Sequence, residues 1–170
     1  LAGLGDVISS SAALKNLHTS FPASEISYLT FIDNKAALQA CPYVRESIYL
    51  QKKFTWQNIK TLLTLNTSRF ACAVNLYNIH SWFGALKMWA LFSLIGATTT
   101  YGRNTDGKGF FFQDKLQETF PPYQHDSLSM LDVVGLLGAK GQVSKPELWV
   151  QENSQGLNDF LKKHGFQGSD

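Results

Sequence analysis

Apolar residues recur at helical spacing near the start of the chain. Val7, Ile8, Ala12, Leu14 and Leu17 follow a glycine-rich opening at residues 1–6, which predicts a loop leading into a helix that runs to about Thr19. Phe21-Pro22-Ala23-Ser24 breaks that helix, and Ile26, Tyr28 and residues 29–32 make a short β-rich run expected to be a buried strand. Residues 34–40 return to helix, Cys41-Pro42-Tyr43 turns, and residues 47–50 form a second short strand. A helix over 58–66 carries Ile59, Leu62, Leu63 and Leu65, and the near-continuous apolar run 70–76 suits a central parallel strand. Residues 81–95 then read as a long apolar helix that Gly96 can end, followed by a β-branched strand at 98–102 and a polar loop at 103–109. Phe110-Phe111-Phe112 is expected as an edge or hairpin strand, 124–137 as a helix, 138–141 as a glycine-rich stop and 157–164 as a last amphipathic helix.

Strands alternating with helices point to an α/β, Rossmann-like fold, an open parallel sheet with helices on both faces whose ligands bind beyond the carboxyl ends of the strands. The loops at 3–6, 75–81 and 103–109 then share one rim.

Composition narrows the class. A chain of 170 residues suits one domain, and 44% apolar with 16% charged residues suits a well-buried core rather than disorder. Fifteen basic against thirteen acidic residues give a net charge of +2, too balanced for a nucleic-acid binder, although a local basic patch stays open. Cys41 and Cys72 lack metal-type spacing and are expected to be small buried apolar residues, in keeping with a reducing cytoplasm. The apolar stretch 82–97 is interrupted by Lys87 and diluted by Gly84, Ser93 and Gly96, so no membrane span is expected. The chain opens on Leu1 with no basic stretch before an apolar run, so no signal peptide is read and further residues upstream are expected.

The segment Gly3-Leu4-Gly5-Asp6-Val7-Ile8, then Ala12-Ala13-Leu14-Lys15-Asn16-Leu17 and Phe21-Pro22-Ala23-Ser24-Glu25-Ile26, resembles the N-terminal part of lipopolysaccharide heptosyltransferases and their relatives, bacterial glycosyltransferase family nine. The order continues through Cys41-Pro42-Tyr43-Val44, Ala73-Val74-Asn75-Leu76, Ile95-Gly96-Ala97, Tyr101-Gly102-Arg103, and a helix opened by His125 that ends Leu136-Leu137-Gly138. Any one piece is weak, since a glycine turn before a helix occurs in many phosphate-binding folds; their joint order carries the likeness. It implies that residues 1–170 are the acceptor-side half of a two-domain (GT-B type) transferase. A strand would precede the glycine turn, and a second, donor-binding domain would follow. It also implies no cofactor, an ADP-heptose-like nucleotide sugar on that other domain, and an anionic glycolipid as acceptor. The setting would be the cytoplasm, peripheral to the inner membrane. A related transferase with another sugar or acceptor, and a non-catalytic sugar-binding or scaffold domain, are the alternatives.

Inverting glycosyl transfer needs a base for the acceptor hydroxyl, and Asp6 is the candidate. It follows two glycines that let a ligand approach the backbone, and it stands at a helix N-terminus. The same carboxylate could merely cap the helix, and Gly3 and Gly5 could merely permit a tight turn. In the family this aspartate has the role of base. An anionic acceptor calls for cations at the rim, where Lys52, Lys53, Arg103 and Lys108 fall in predicted loops; Arg103 and Lys108 are the candidates there. His80 and Ser81 could bond acceptor hydroxyls, or Ser81 could cap the next helix. His125 is expected to cap or pack, without a metal-ligand partner, and no protein-bound metal is predicted. Trp82, Phe83, Trp89 and Phe92 lie on a helical period and suit core, or contact with a further domain or lipid, better than sugar stacking.

Overall fold

The computed structural model of the chain describes residues 3–53, 55–121, 124–140 and 143–149. Gly141 and the helix expected at 157–164 lie outside the described residues. The elements in order are α1 (Leu4–Ser9), α2 (Ser11–Ser20), β1 (Ser27–Phe31), a 3-10 turn (Ile32–Asn34), α3 (Lys35–Leu38), β2 (Glu46–Leu50), α4 (Trp56–Thr67), β3 (Cys72–Asn75), α5 (Trp82–Ile95), β4 (Thr99–Thr105), β5 (Asp114–Glu118) and α6 (Asp126–Gly135).

All strand pairs are parallel; helical crossovers connect β1 to β2 and β3 to β4, whereas β4 reaches β5 through the turn at 106–113 with no helix between them. Alternation along each strand sends side chains to two covered faces. On one face Tyr28 packs with Val7, Leu14 and Leu38, and Val74 with Ala13, Met130 and Val134. On the other, Leu29 and Ala73 meet Leu65 of α4 and Ile95 of α5. Helix α2 spans both halves of the first face, because adjacent residues Ala13 and Leu14 belong to its two different clusters.

The ladder is not one continuous sheet. β1 pairs with β2, and β3-β4-β5 form a second sheet. Between β1 and β3 lies an apolar cavity of about 390 Å³ lined from both strands, with Leu14 and Leu17 on one side and Leu91 and Ile95 on the other. This corrects the expectation for Cys72: it is exposed rather than buried, and Ala73 and Val74 are only half-buried, because the β3 edge opens on the cavity.

Three boundaries also move. The first helix divides at Ser10 into α1 and α2. The polar run expected as a loop at 103–109 begins as strand, since β4 continues to Thr105. Phe110-Phe111-Phe112 forms turn rather than strand, and Asp114–Glu118 pairs with β4 instead. Phe112 is buried edge-on against Phe92, with ring centroids 5.1 Å apart, and lies directly over Gly102, where a Cβ would come within 2.4 Å of its ring. The aromatic run therefore serves packing across β4. Helix α5 starts and stops as its sequence implies: Ser81 Oγ accepts the Gly84 amide at 3.0 Å, and Gly96 takes the left-handed conformation (φ 65°) that ends the helix.

Candidate active site at the glycine loop

Gly3 is the N-cap of α1, and Asp6 is its third residue. One Asp6 oxygen accepts the Gly3 amide at 2.9 Å, so the side chain reaches back over the first turn, the return half of a capping box. Capping therefore occurs, toward the residue before the helix rather than the amides ahead of it. Asp6 remains half-exposed. Gly5 lies within the first turn of α1, and a Cβ there would meet nothing within 4 Å. Neither Gly3 nor Gly5 has a positive φ, so the backbone conformation does not demand glycine at either place.

Behind Asp6 stands a buried hydroxyl chain that joins the two sheets. Ser10 Oγ donates to the Val7 carbonyl at 2.8 Å and lies 3.1 Å from the Tyr28 hydroxyl, which in turn is hydrogen-bonded to the Tyr77 hydroxyl. Each hydroxyl has one proton, so the order is fixed: Tyr77 donates to Tyr28, Tyr28 to Ser10, and Ser10 to the backbone. Burial pushes both phenols well above their ordinary range, and the nearby negative charge of Asp6 acts in the same direction. Both tyrosines are neutral donors at neutral pH.

The other expected site residues divide. Ser81 caps α5, as above. His80 is exposed on the loop after β3 and meets Phe120 edge-on at 5.9 Å. The Gly107 turn lies beside Trp82, with a built Cβ 4.0 Å from its ring, so the loops after β3 and β4 do adjoin at the start of α5. Arg103 departs from expectation. It is fully buried, its guanidinium bidentate to Glu118 (2.8 and 3.1 Å) and also donating to Asp126 at 2.8 Å. It points inward from β4 because β5 and the first residue of α6 supply the matching carboxylates. Lys108 is largely buried and pairs with Asp106 of its own turn at 3.1 Å. Lys52 pairs with Asp33 at 2.5 Å, and Lys53 is exposed. His125 caps α6, Nδ1 accepting the Ser127 amide at 3.3 Å. Among the described residues no hydrogen bond or ion pair joins Asp6 to His80, Ser81, Arg103 or Lys108.

Two constellations were not foreseen. Tyr28 and Tyr77 are one, and their signal was a hydroxyl-bearing residue in or beside each of two apolar strands. The other is Glu147, which accepts from Lys15 (2.7 Å), Tyr43 (2.9 Å) and the Trp149 indole (3.2 Å), while its own amide donates to Ser11 at 2.8 Å. It ties the segment 143–149 to α2.

No protein-family model and no curated protein sequence matches the chain. Among solved structures it is similar to a glycosyl transferase of family 9 from Veillonella parvula DSM 2008, with a TM-score of 0.76 at 21% identity over 100% of this chain and 49% of that one. It is also similar to the ADP-heptose LPS heptosyltransferase II of E. coli, with a TM-score of 0.68 at 15% identity over 99% of this chain and 50% of that one. The chain spans about half the length of each. At such identities the likeness shows the fold: an α/β unit of parallel sheets flanked by helices, matching half of each of these transferases.

Proposed function

We propose that this chain is the acceptor-side half of a two-domain inverting glycosyltransferase, moving heptose or a related sugar from a nucleotide sugar to the lipopolysaccharide inner core. The observation that carries the reading is the likeness of the whole chain to half of each of two sugar transferases. In this reading the acceptor lies over the Gly3–Asp6 turn that opens α1, and Asp6 takes the proton of its hydroxyl as that oxygen bonds to the anomeric carbon. The bond from that carbon to the nucleoside diphosphate breaks on the opposite face, and the leaving charge is stabilised by the donor domain.

Gly5 supports the reading. A glycine inside a helical turn costs about 0.5–1 kcal/mol relative to alanine, and nothing in the packing of the described residues requires it. Open space over that backbone suits close approach of a ligand. The cavity between β1 and β3 supports a further part of the reading, a strand ahead of Gly3, since both flanking strands turn an unpaired edge toward it among the described residues. His80 remains a candidate contact for acceptor hydroxyls, exposed on the adjoining loop.

One observation favours the second reading, a non-catalytic sugar-binding or scaffold domain: the Asp6 carboxylate already has a capping role. The test is turnover by the full-length polypeptide. With ADP-heptose and a phosphorylated inner-core acceptor it should release ADP and form a product of inverted anomeric configuration, whereas the 170-residue chain alone should turn over nothing. A screen of other nucleotide sugars identifies a different donor. Acceptor binding without turnover of any nucleotide sugar would establish the second reading instead.

A further inference from the structure

β4 and β5 end at Thr105 and Glu118, and beyond them lies an open cavity of about 570 Å³. The carboxyl ends of parallel strands are where sheets of this kind bind ligands. Asn104, Asp106, Gln117, Glu118, Thr119 and Gln124 line it, so its wall is built of amides, carboxylates and a hydroxyl, with no lysine or arginine among the described residues.

The cations nearest this wall are already engaged. Arg103, fully buried, holds both oxygens of Glu118, and Lys108 pairs with Asp106, whose other oxygen accepts the Phe120 amide at 3.1 Å. These bonds, the Phe120 amide foremost, hold the Asp106 carboxyl below the usual aspartate range, so it is charged at neutral pH. A phosphate entering the cavity would meet two carboxylates, whereas phosphate sites are built from arginine, lysine or the free amides of a helix N-terminus. The N-terminus of α6 adjoins the cavity through Gln124 and Ser129, but Asp126 already occupies its first turn and His125 takes the Ser127 amide. Lys52 and Lys53 follow β2, in the other sheet.

The groups left open suit hydroxyls. Gln117 and Thr119 are exposed, and the Gln117 side-chain oxygen accepts from Asn104 at 2.7 Å. Neither the Gln117 amide nitrogen nor the Thr119 hydroxyl has a hydrogen-bond partner among the described residues. A sugar hydroxyl both donates and accepts, so it pairs equally with an amide N–H, a hydroxyl or the spare lone pair of a carboxylate. Aromatic rings border the same place. Trp82, 63% exposed, lies beside Gly107 of the cavity wall, and Phe120, 60% exposed, follows Thr119. A pyranose ring carries hydroxyls at its edge and C–H groups on its faces, and a polar wall with an aromatic border matches both.

We propose that the cavity beyond β4 and β5 is a subsite for an uncharged sugar ring of the acceptor, with Gln117, Thr119 and Asp106 bonding its hydroxyls. The inference rests on the reading of the chain as the acceptor-side half of a sugar transferase. It adds that any phosphate on the acceptor lies away from this end of the sheet.

The experiment uses the full-length protein and lipid-free inner-core oligosaccharide, with Kd from calorimetric titration and kcat and KM from turnover. Gln117→Ala and Thr119→Ala should each raise Kd and KM about fivefold, with kcat and melting temperature close to wild type, the scale of one lost hydrogen bond at an exposed position. Gln117→Glu keeps the oxygen that accepts from Asn104 and adds a charge to the wall. Against an uncharged ring it should raise Kd no more than Gln117→Ala does, and equally in low and high salt. Three results would overturn the proposal. The first is no binding of the oligosaccharide by the unmodified protein. The second is binding that both alanine variants leave intact, as when another domain fills the cavity. The third is a loss in Gln117→Glu on the order of tenfold beyond Gln117→Ala that salt abolishes, the mark of an anion seated there. Failure of the transferase reading is a separate result: no turnover of any nucleotide sugar, with oligosaccharide binding that both alanine variants weaken, removes that reading and leaves the sugar subsite in place.

Discussion

Tyr28 on β1 and Tyr77 just beyond β3 share a hydrogen bond across the gap between the two sheets. It is a direct polar tie between the halves, and it continues through Ser10, at the junction of α1 and α2, to the Val7 carbonyl. The first turn of α1, which carries Asp6, is thus held against both sheets at once. Because burial keeps both phenols neutral, the tie persists through neutral pH.

The order of donors makes the first prediction. Three hydroxyl protons end on one carbonyl, so removing Ser10 Oγ leaves two tyrosines with a single bond between them and one buried proton without an acceptor. Ser10→Ala should cost about 1–3 kcal/mol, whereas Tyr77→Phe, which removes a donor from the start of the chain, should cost about 1 kcal/mol. Urea unfolding of both variants measures the difference. Equal costs would contradict the direction assigned.

How far this site was legible depends on the range of its contacts. Ser81, Gly96 and the N-cap role of His125 act within four residues of their own positions, and local chemistry of that kind can be read from sequence. The helices on both faces followed from periodicity in the same way. Tyr28 and Tyr77, or Lys15 and Glu147, meet across long stretches of chain, and no local pattern encodes such a meeting. Arg103 was expected in the loop after the strand, facing a ligand, whereas it lies within β4 and points inward. The polarity of 103–109 read locally as loop, whereas the carboxylates that draw Arg103 inward come from β5 and α6. The apolar run at Phe110 misled for the same reason: the glycine it packs over lies in β4.

Glu147 sets the second prediction, on pH. The hydrogen bond from Lys15 chiefly holds its carboxyl below the usual glutamate range, and the same bond raises Lys15. A lowered acid contributes stability above its unfolded pKa of about 4.3 and loses it as pH falls through the folded value; a raised lysine contributes below about 10.4 and loses it as pH rises further. Glu147→Gln should therefore flatten the fall in stability below about pH 4.3 and the part of the alkaline loss due to Lys15. Both partners are substantially exposed, so the effect should be small and should shrink with salt. Thermal melts across pH, in low and high salt, are the measurement. An unchanged acid limb would remove Glu147 as the anchor of segment 143–149.

Arg103 gives the third. With its guanidinium enclosed by Glu118 and Asp126, a substitution should act on folding rather than on ligand. Arg103→Ala leaves the nearly buried Glu118 carboxylate without a cation, with the Thr105 hydroxyl as its remaining side-chain donor among the described residues, and should cost about 3–5 kcal/mol, the scale for breaking a buried ion pair from one side. Arg103→Ala with Glu118→Leu should recover part of that loss, because the stranded carboxylate is gone. In the full-length protein, any variant stable enough to assay should keep its acceptor KM. A raised KM with unchanged melting temperature would return Arg103 to the rim as a ligand contact.

Asp6 is where the two functional readings separate. Its carboxylate accepts the Gly3 amide, and an asparagine carbonyl can accept the same bond, so Asp6→Asn preserves the cap while removing the basic group. If Asp6 is the base, that change in the full-length protein should lower kcat on the order of 10²-fold or more with little effect on KM or melting temperature. Asp6→Ala should lose activity to the same degree and lose in addition about 0.5–2 kcal/mol of stability from the missing cap. The pH profile adds a readout that a cap alone would not move, because the limb of kcat/KM that reports an essential deprotonated carboxylate should vanish in the asparagine variant. Near-normal kcat in Asp6→Asn, together with a destabilised but active Asp6→Ala, would leave Asp6 as a structural residue of the α1 turn and favour the non-catalytic reading of the domain.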